Sequence, residues 1–363
     1  MLIMTINTGS TSTKIAVYDD ETELFAESIA HGAETLASFP TVQSQLGFRE
    51  SEILRELLRR GVQLREISAF SGRGGGLASC EGGVYEVTEL LFDHASRGIN
   101  GTHPAQLSPQ IAKRFADAYG GRAFVVDPPD TDEFDEVSRA AGLRGVYRES
   151  HVHALNQKAA ARDFCAANGL RYEDANLVVA HLGGGISVTA HGKGRMTDSN
   201  DIIRGTGPMT PTRAGELPYA AVLDLAFSGE YDKKTLKDRL NRLGGLTDVF
   251  GTSDFRKVWR LAREGDRRAE FYCAGMAYQV AKHIGAMAVA LRGEVDAIIL
   301  TGGIANERGF TALIEERAGW IARVAVLPGE FETQALALGA LRVLRDEETP
   351  KEYTGQPVWV AGF

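Results

Sequence analysis

A basic excess, paired cysteines and long apolar runs are what this 363-residue chain lacks. Lysine and arginine total 40 against 48 aspartates and glutamates, a formal net charge of −8. With no surplus cations to neutralise phosphates, general nucleic-acid binding is not expected. The cysteines, Cys80, Cys165 and Cys273, lie far apart with no C-x-x-C spacing. That excludes a disulfide framework and a zinc knuckle and points to free thiols in a reducing compartment. The longest apolar stretch, 269–291, is broken by Glu270, Lys282 and His283, and its small residues suit a closely packed buried helix rather than a membrane span. The chain opens directly on a strand pattern, so no leader peptide is expected. These absences predict a cytoplasmic protein with neither membrane nor nucleic-acid partners. The length suggests two domains.

Also missing is a P-loop, which needs Gly-x-x-x-x-Gly-Lys-Ser/Thr opening a helix. What stands at the N-terminus instead is TINTGSTSTKIAVYD, from Thr5 to Asp19. An alternating strand breaks at the polar turn Asn7-Thr8-Gly9-Ser10-Thr11 and resumes through Ile15 and Val17. If it resumes at once, Ser12 and Lys14 share a face, and Thr13, Ile15 and Val17 the other. An amide, hydroxyls, a flexible Gly and one ammonium suit a phosphate. A hydroxyl-rich surface hairpin is the other reading of the same residues.

Further strands are expected near 23–29, 67–70, 123–126, 177–181, 186–190, 295–301 and 324–327, and helices near 48–60, 107–119 and 332–345. SGRGGG after the 67–70 strand sets Arg73 among glycines that let a backbone approach a ligand. A solvated Arg on a flexible loop is the alternative. Asp127 ends the 123–126 strand in a proline-stiffened loop, where α/β enzymes often hold a metal, though acidic surface loops are also common. His151 and His153 precede a helix and read better as one positioned His than as a zinc site. VVAHLGGGISVTA repeats the strand, glycine turn, strand plan of the N-terminus, so two halves may share one topology. Arg213 lies in the irregular loop GPMTPTRAGELP, and DAIILT runs into a third glycine turn, Gly302-Gly303-Ile304-Ala305-Asn306. Strands alternating with helices predict an α/β fold. The apolar ending Pro357-Val358-Trp359-Val360 is expected to pack on the body.

These motifs resemble those of the acetate and butyrate kinases, in the superfamily of actin, hexokinase and the large heat-shock ATPases. NTGSTSTK resembles the first phosphate loop, VVAHLGGGISV the second and ILTGGIANE the adenosine loop, in the right order over nearly the whole chain. The chain is more similar to butyrate than to acetate kinases. Acetate kinases carry Asn where Gly184 stands, and His-Gly-Thr-Ser-His where this chain has His153-Ala154-Leu155-Asn156-Gln157. Thr8 stands where relatives have Pro or Ala.

The resemblance implies two similar ribonuclease H-like domains with mixed sheets flanked by helices and a nucleotide cleft between them. It implies an N-terminal domain of 1–150 plus about 333–363, and a nucleotide-binding domain of 151–332, the halves closing as rigid bodies. Asn7, Ser10, Ser12 and Lys14 would lie at the transferred phosphate. Arg73 and Arg213 would bracket carboxylate and phosphoryl group, with Asp127 the active-site aspartate and His153 the stabiliser of the transition state. His181, Gly183, Gly184, Gly185, Asp254, Phe255, Arg256 and Gly302–Asn306 match nucleotide contacts. Magnesium would sit at Asn7, Asp127 and either Glu332 or Gln334. The implied reaction is reversible phosphorylation of butyrate by ATP, with ATP/ADP and Mg²⁺ as cofactors, a small carboxylate and its acyl phosphate as partners, and a homodimer or higher oligomer. Propionate, isobutyrate or acetate are alternative substrates. An actin-like ATP-driven switch is the alternative of another class.

Overall fold

The computed structural model describes residues 1–362 and divides the chain into two compact units. The first comprises Met1–Asp132 and the returning stretch from Phe331 onward, and the second Glu133–Glu330. The first crossing therefore lies at Asp132–Glu133, not near residue 150. A buried ion pair explains the difference. Glu133 accepts from Lys158 Nζ at 2.8 Å and from the backbone N–H of Met196 at 2.7 Å, tying the 133–150 stretch to the second unit.

Six strands form the sheet of the first unit: β1 (Leu2–Thr8), β2 (Ser12–Asp19), β3 (Thr22–Ala30), β4 (Ile67–Gly72), β5 (Val84–Glu86) and β6 (Arg122–Val126), in the order β3-β2-β1-β4-β6-β5. β1, β2 and β3 form an antiparallel meander, and β4 and β6 add in parallel. Period-two alternation sorts the side chains. Met4 and Ile6 join Ile53 and Leu57 of the helix Leu46–Arg59 and Ile111 and Phe115 of the helix Leu107–Tyr119 in one core. The helix Glu332–Leu344 also packs on β1, β4 and β6, and Asn7, out of phase with Met4 and Ile6, meets its first residue.

The second unit repeats this plan with β7 (Asn176–Leu182), β8 (Ile186–Gly192), β9 (Arg195–Ser199), β10 (Ala297–Gly302) and β11 (Val324–Pro328), ordered β11-β10-β7-β8-β9. Again an antiparallel meander is followed by two parallel strands. Val178, Ala180, Ile186 and Val188 pack into one core with Ala277, Val280 and Ile284 of the helix Arg267–Ala290. The apolar 269–291 stretch thus falls in a helix packed on the sheet of the second unit, and no described helix is long and apolar enough to cross a membrane. The alternate residues of β7 and β8 face the helix Ala154–Ala167, as His181–Asn156 and Ser187–Gln157 bonds show. Both units are mixed α/β sheets flanked by helices.

The expected packing of the tail holds only in part. Tyr353 is its buried anchor, accepting the N–H of Ala78 at 2.8 Å and bonding His94 Nδ1 at 2.9 Å. Val358 donates its N–H to Ser79, yet its side chain is 44% exposed and that of Val360 72%.

Candidate active site

In the first unit the β1–β2 turn is closed by the Gly9 N–H donating to the Ser12 carbonyl at 2.8 Å. Ser10 is exposed and Ser12 half-buried, while Thr13, Ile15 and Val17 are buried, the alternation read from the sequence. Lys14 pairs in register with Asn7, which puts both on one face. Asn7 Nδ2 donates to Glu332 Oε2 at 2.5 Å, and Arg73 Nη1 lies 3.5 Å from Asn7 Oδ1. Arg73 Nη2 stands 3.5 Å from Glu332 Oε1. Strand, glycine loop and the start of a helix from the far end of the chain thus bring Asn7, Arg73 and Glu332 together. Glu332 is the member of this group; among the described residues Gln334 makes no hydrogen bond to it.

Asp127 is buried at the end of β6 with a φ of 39°, a left-handed conformation that few residues with a side chain adopt and that Asp adopts more readily than most. Its N–H donates to the Gly83 carbonyl at 2.9 Å, and the Gly83 N–H donates in return to the carboxylate, Asp127 Oδ1, at 2.8 Å. Such backbone strain is held where the surroundings over-determine it, often at functional sites. Asn7, Asp127 and Glu332 offer only oxygen ligands, the donor set that suits Mg²⁺. No cluster of three His, Cys, Asp or Glu able to hold a metal occurs among the described residues.

Two residues anchor this turn, one of which, Arg49, the sequence reading passed over. Arg49 is fully buried and donates to the Ser12 carbonyl at 3.0 Å and to Thr13 Oγ1 at 3.1 Å. Burial pushes its guanidinium down to about 10, still charged at neutral pH. The signal was its place on the stripe it shares with Ile53 and Leu57. Thr8, the departure from the family pattern, donates its hydroxyl to the Pro104 carbonyl at 2.6 Å.

In the second unit the polar site is the face of β7 and β8 turned away from the core. His181 pairs with Ser187 across the hairpin. His153, at the N-terminal end of the helix Ala154–Ala167, stacks on His181 with ring centroids 4.1 Å apart and bonds Ser187 Oγ through Nδ1 at 2.8 Å. The Gly184 carbonyl of the hairpin loop accepts from Thr210 at 2.7 Å and Thr212 at 2.8 Å. These bonds dock the irregular loop on the glycines and deliver Arg213 beside Gly185. A Cβ on Gly185 would overlap the Arg213 guanidinium. Arg213 Nη1 is buried there with no hydrogen-bond partner among the described residues. Burial lowers the affinity of this guanidinium for its proton, and Asp201 partly restores it. A buried donor without a partner is costly and is tolerated where a ligand completes it.

The remaining expected nucleotide contacts take different positions. Gly302 has a φ of 88°, and a Cβ there would overlap the Leu182 backbone. Gly303 and Asn306 are exposed, but the side chains of Ile304 and Ala305 lie in the core, which leaves only their backbone for a ligand. Phe255 is likewise a core residue, packed in edge contact with Phe310 at 4.8 Å. Asp254 caps the helix Phe255–Arg263 by accepting the Arg256 N–H, and it pairs with the exposed Arg256 side chain at 3.1 Å.

Comparison with known proteins places this architecture. Residues 145–320 match the family model described as the acetokinase family. The fold is similar to that of Porphyromonas gingivalis acetate kinase, with 19% identity over 94% of this chain and 99% of that one and a TM-score of 0.77. A propionate kinase from Francisella tularensis subsp. tularensis SCHU S4 gives 17% identity over 93% and 98% and a TM-score of 0.74. Entamoeba histolytica acetate kinase gives 15% identity over 93% and 98% and a TM-score of 0.75. At these identities the likeness is one of fold.

Proposed function

We propose that this protein is a short-chain carboxylate kinase that transfers the γ-phosphoryl group of ATP to butyrate, giving ADP and butyryl phosphate, and that also runs in reverse. The observation that carries this reading is Arg213, half-buried, whose buried Nη1 has no partner among the described residues and is held against the glycine loop of β7 and β8. A conformational switch that only binds nucleotide has no need of such a cation. The match of residues 145–320 to the acetokinase family supports the same class.

In this reading a carboxylate oxygen forms the new O–P bond while the bond from the γ-phosphorus to the bridging oxygen breaks, its electrons leaving with ADP. A carboxylate is already ionised at neutral pH, with a reference pKa of about 4–5. No general base is required. The obstacle is the approach of two anions, so positioning and charge compensation do the catalysis. Arg213 supplies donors to the phosphoryl oxygens, and His153 donates to the charge that develops there. Arg73 offers the planar fork that matches a carboxylate. Asn7, Asp127 and Glu332 would hold magnesium, which when bound offsets charge on the nucleotide phosphates.

Butyrate is preferred to acetate here because Gly184 and the run His153–Gln157 depart from the acetate kinase pattern. One methylene in an apolar pocket is worth roughly 1–3 kcal/mol, so propionate and isobutyrate are the near competitors. The test is acyl phosphate formation, trapped as hydroxamate, from ATP, Mg²⁺ and a panel of two- to five-carbon acids. The reading requires acid-dependent ADP release that peaks at four carbons. A peak at two or three carbons overturns butyrate, and no acid-dependent release overturns the kinase.

A further inference from the structure

Behind the stacked pair His153–His181 lies a buried chain of side chains whose hydrogen-bond directions can be worked out one by one. Gln157 Nε2 lies 3.1 Å from the backbone carbonyl of Ser187, which can only accept. That fixes the amide, and its Oε1 therefore faces His191 Nε2 at 3.0 Å, which must carry a hydrogen. His191 Nδ1 then accepts the phenol hydrogen of Tyr172, 2.8 Å away. Gln157 Nε2 also donates to Ser187 Oγ at 2.6 Å, and among the described residues His153 Nδ1, 2.8 Å away, is the one side-chain partner left that can accept the Ser187 hydrogen. On the other ring, Asn156 Oδ1 accepts from Thr301 at 3.4 Å, with Asn156 Nδ2 turned to the Gly329 carbonyl. The His181 Nδ1 that meets this oxygen at 2.7 Å is therefore an N–H.

We propose that Ser187 and Gln157 are positioning residues that hold His153 as the Nε2–H tautomer, and that Asn156 holds His181 as the Nδ1–H tautomer, so that the stacked rings present one donor and one acceptor nitrogen side by side. Gln157, Ser187 and His191 are fully buried, so the links among them are closed to water. Helix and sheet geometry explain why these residues meet. Gln157 is four positions on from His153, one helical turn along the same face. Ser187 and His191 alternate with the core residues Ile186, Val188 and Ala190 and share the opposite face of β8. Only the catalytic meaning of the chain rests on the kinase reading: a donor oriented before substrate arrives needs no reorganisation as charge develops.

The test uses the full chain labelled with ¹⁵N-histidine and long-range ¹H–¹⁵N correlation, with His153 and His181 assigned through His153→Gln and His181→Gln. The expected spectrum shows Nε2–H for His153 and Nδ1–H for His181. Ser187→Ala should average the His153 tautomers and lower kcat about tenfold or more, since misplacing a catalytic group is costly, while the KM for ATP changes less than about twofold. Ser187→Thr, which keeps the hydroxyl, should restore both. A wild-type His153 protonated at Nδ1, or a tautomer unmoved by Ser187→Ala, overturns the proposal. If Ser187→Ala does not fold, the wild-type spectrum and Gln157→Met decide it. The spectra need no substrate, so a wild-type protein without turnover defeats the kinase reading and leaves the tautomers to be judged alone.

Discussion

In the proposed reading Arg213 carries the chemistry of the second unit, on a loop that the Thr210 and Thr212 hydroxyls tie to the Gly184 carbonyl. Arg213→Ala is expected to lower kcat by at least about 10²-fold, the loss typical of one preorganised donor, with an unchanged thermal unfolding midpoint. Near-wild-type turnover would remove it from the site. A neighbouring residue bears on pH. Burial pushes the Asp201 carboxyl upward, but a bond with His151 and the N–H groups of Arg204 and Ile203 outweigh it and hold it below its ordinary 3.8. A carboxyl depressed in the folded state contributes stability that is full above its unfolded pKa and is lost as the pH falls through the folded one. Urea midpoints should therefore show Asp201→Asn less stable than wild type at pH 6, with the gap closing below about pH 4. A gap that is constant with pH would show that its charge state is immaterial to folding.

Glycine turns at strand ends are the elements on which the candidate site is built, and they differ in how far they tolerate a side chain. Gly302 closes β10, and it combines a positive φ with an approach to the Leu182 backbone that leaves no room for a methyl group. Gly302→Ala should destabilise the protein by at least about 2 kcal/mol, the order of strain for a residue held in such a region. Equilibrium urea denaturation measures this, and a change within about 0.5 kcal/mol, the range of ordinary surface substitutions, would contradict it. Elements of this kind were legible in the sequence, since alternation marks strands and glycine marks their ends. The helix Leu107–Tyr119 matches its expected bounds, and the repeated strand, glycine turn, strand plan foretold both hairpins, though not β9, which completes the second meander. Burial of single side chains was less legible. Phe255 and Ala305 stand in stretches that match nucleotide loops, yet their side chains serve the core. The role of Ser187 was hidden because a polar residue in an apolar strand looks like a solvated one until the helix bearing Gln157 is laid over it.

On the scale of the whole molecule, the first unit is discontinuous, and Asn7 bonds a residue 325 positions away. Deleting residues 331–363 would strip β1, β4 and β6 of the helix Glu332–Leu344, whose Leu336, Ala337, Ala340 and Leu341 are buried. It would also remove Tyr353 from Ala78 and His94. We expect such a chain to lose the protection of 1–132 against limited proteolysis; a truncated protein as resistant as the full one would contradict this. The same discontinuity orders events during synthesis. The second unit is a parenthesis inside the first, and it has left the ribosome whole while its surroundings still lack their last helix. At about 5–20 residues per second, β1 waits on the order of tens of seconds for the segment that will cover one of its faces. During that interval the face of the newborn sheet that this helix will cover stays open to other chains. The length of the inserted second unit, more than that of the last helix, sets how long this sheet goes uncovered.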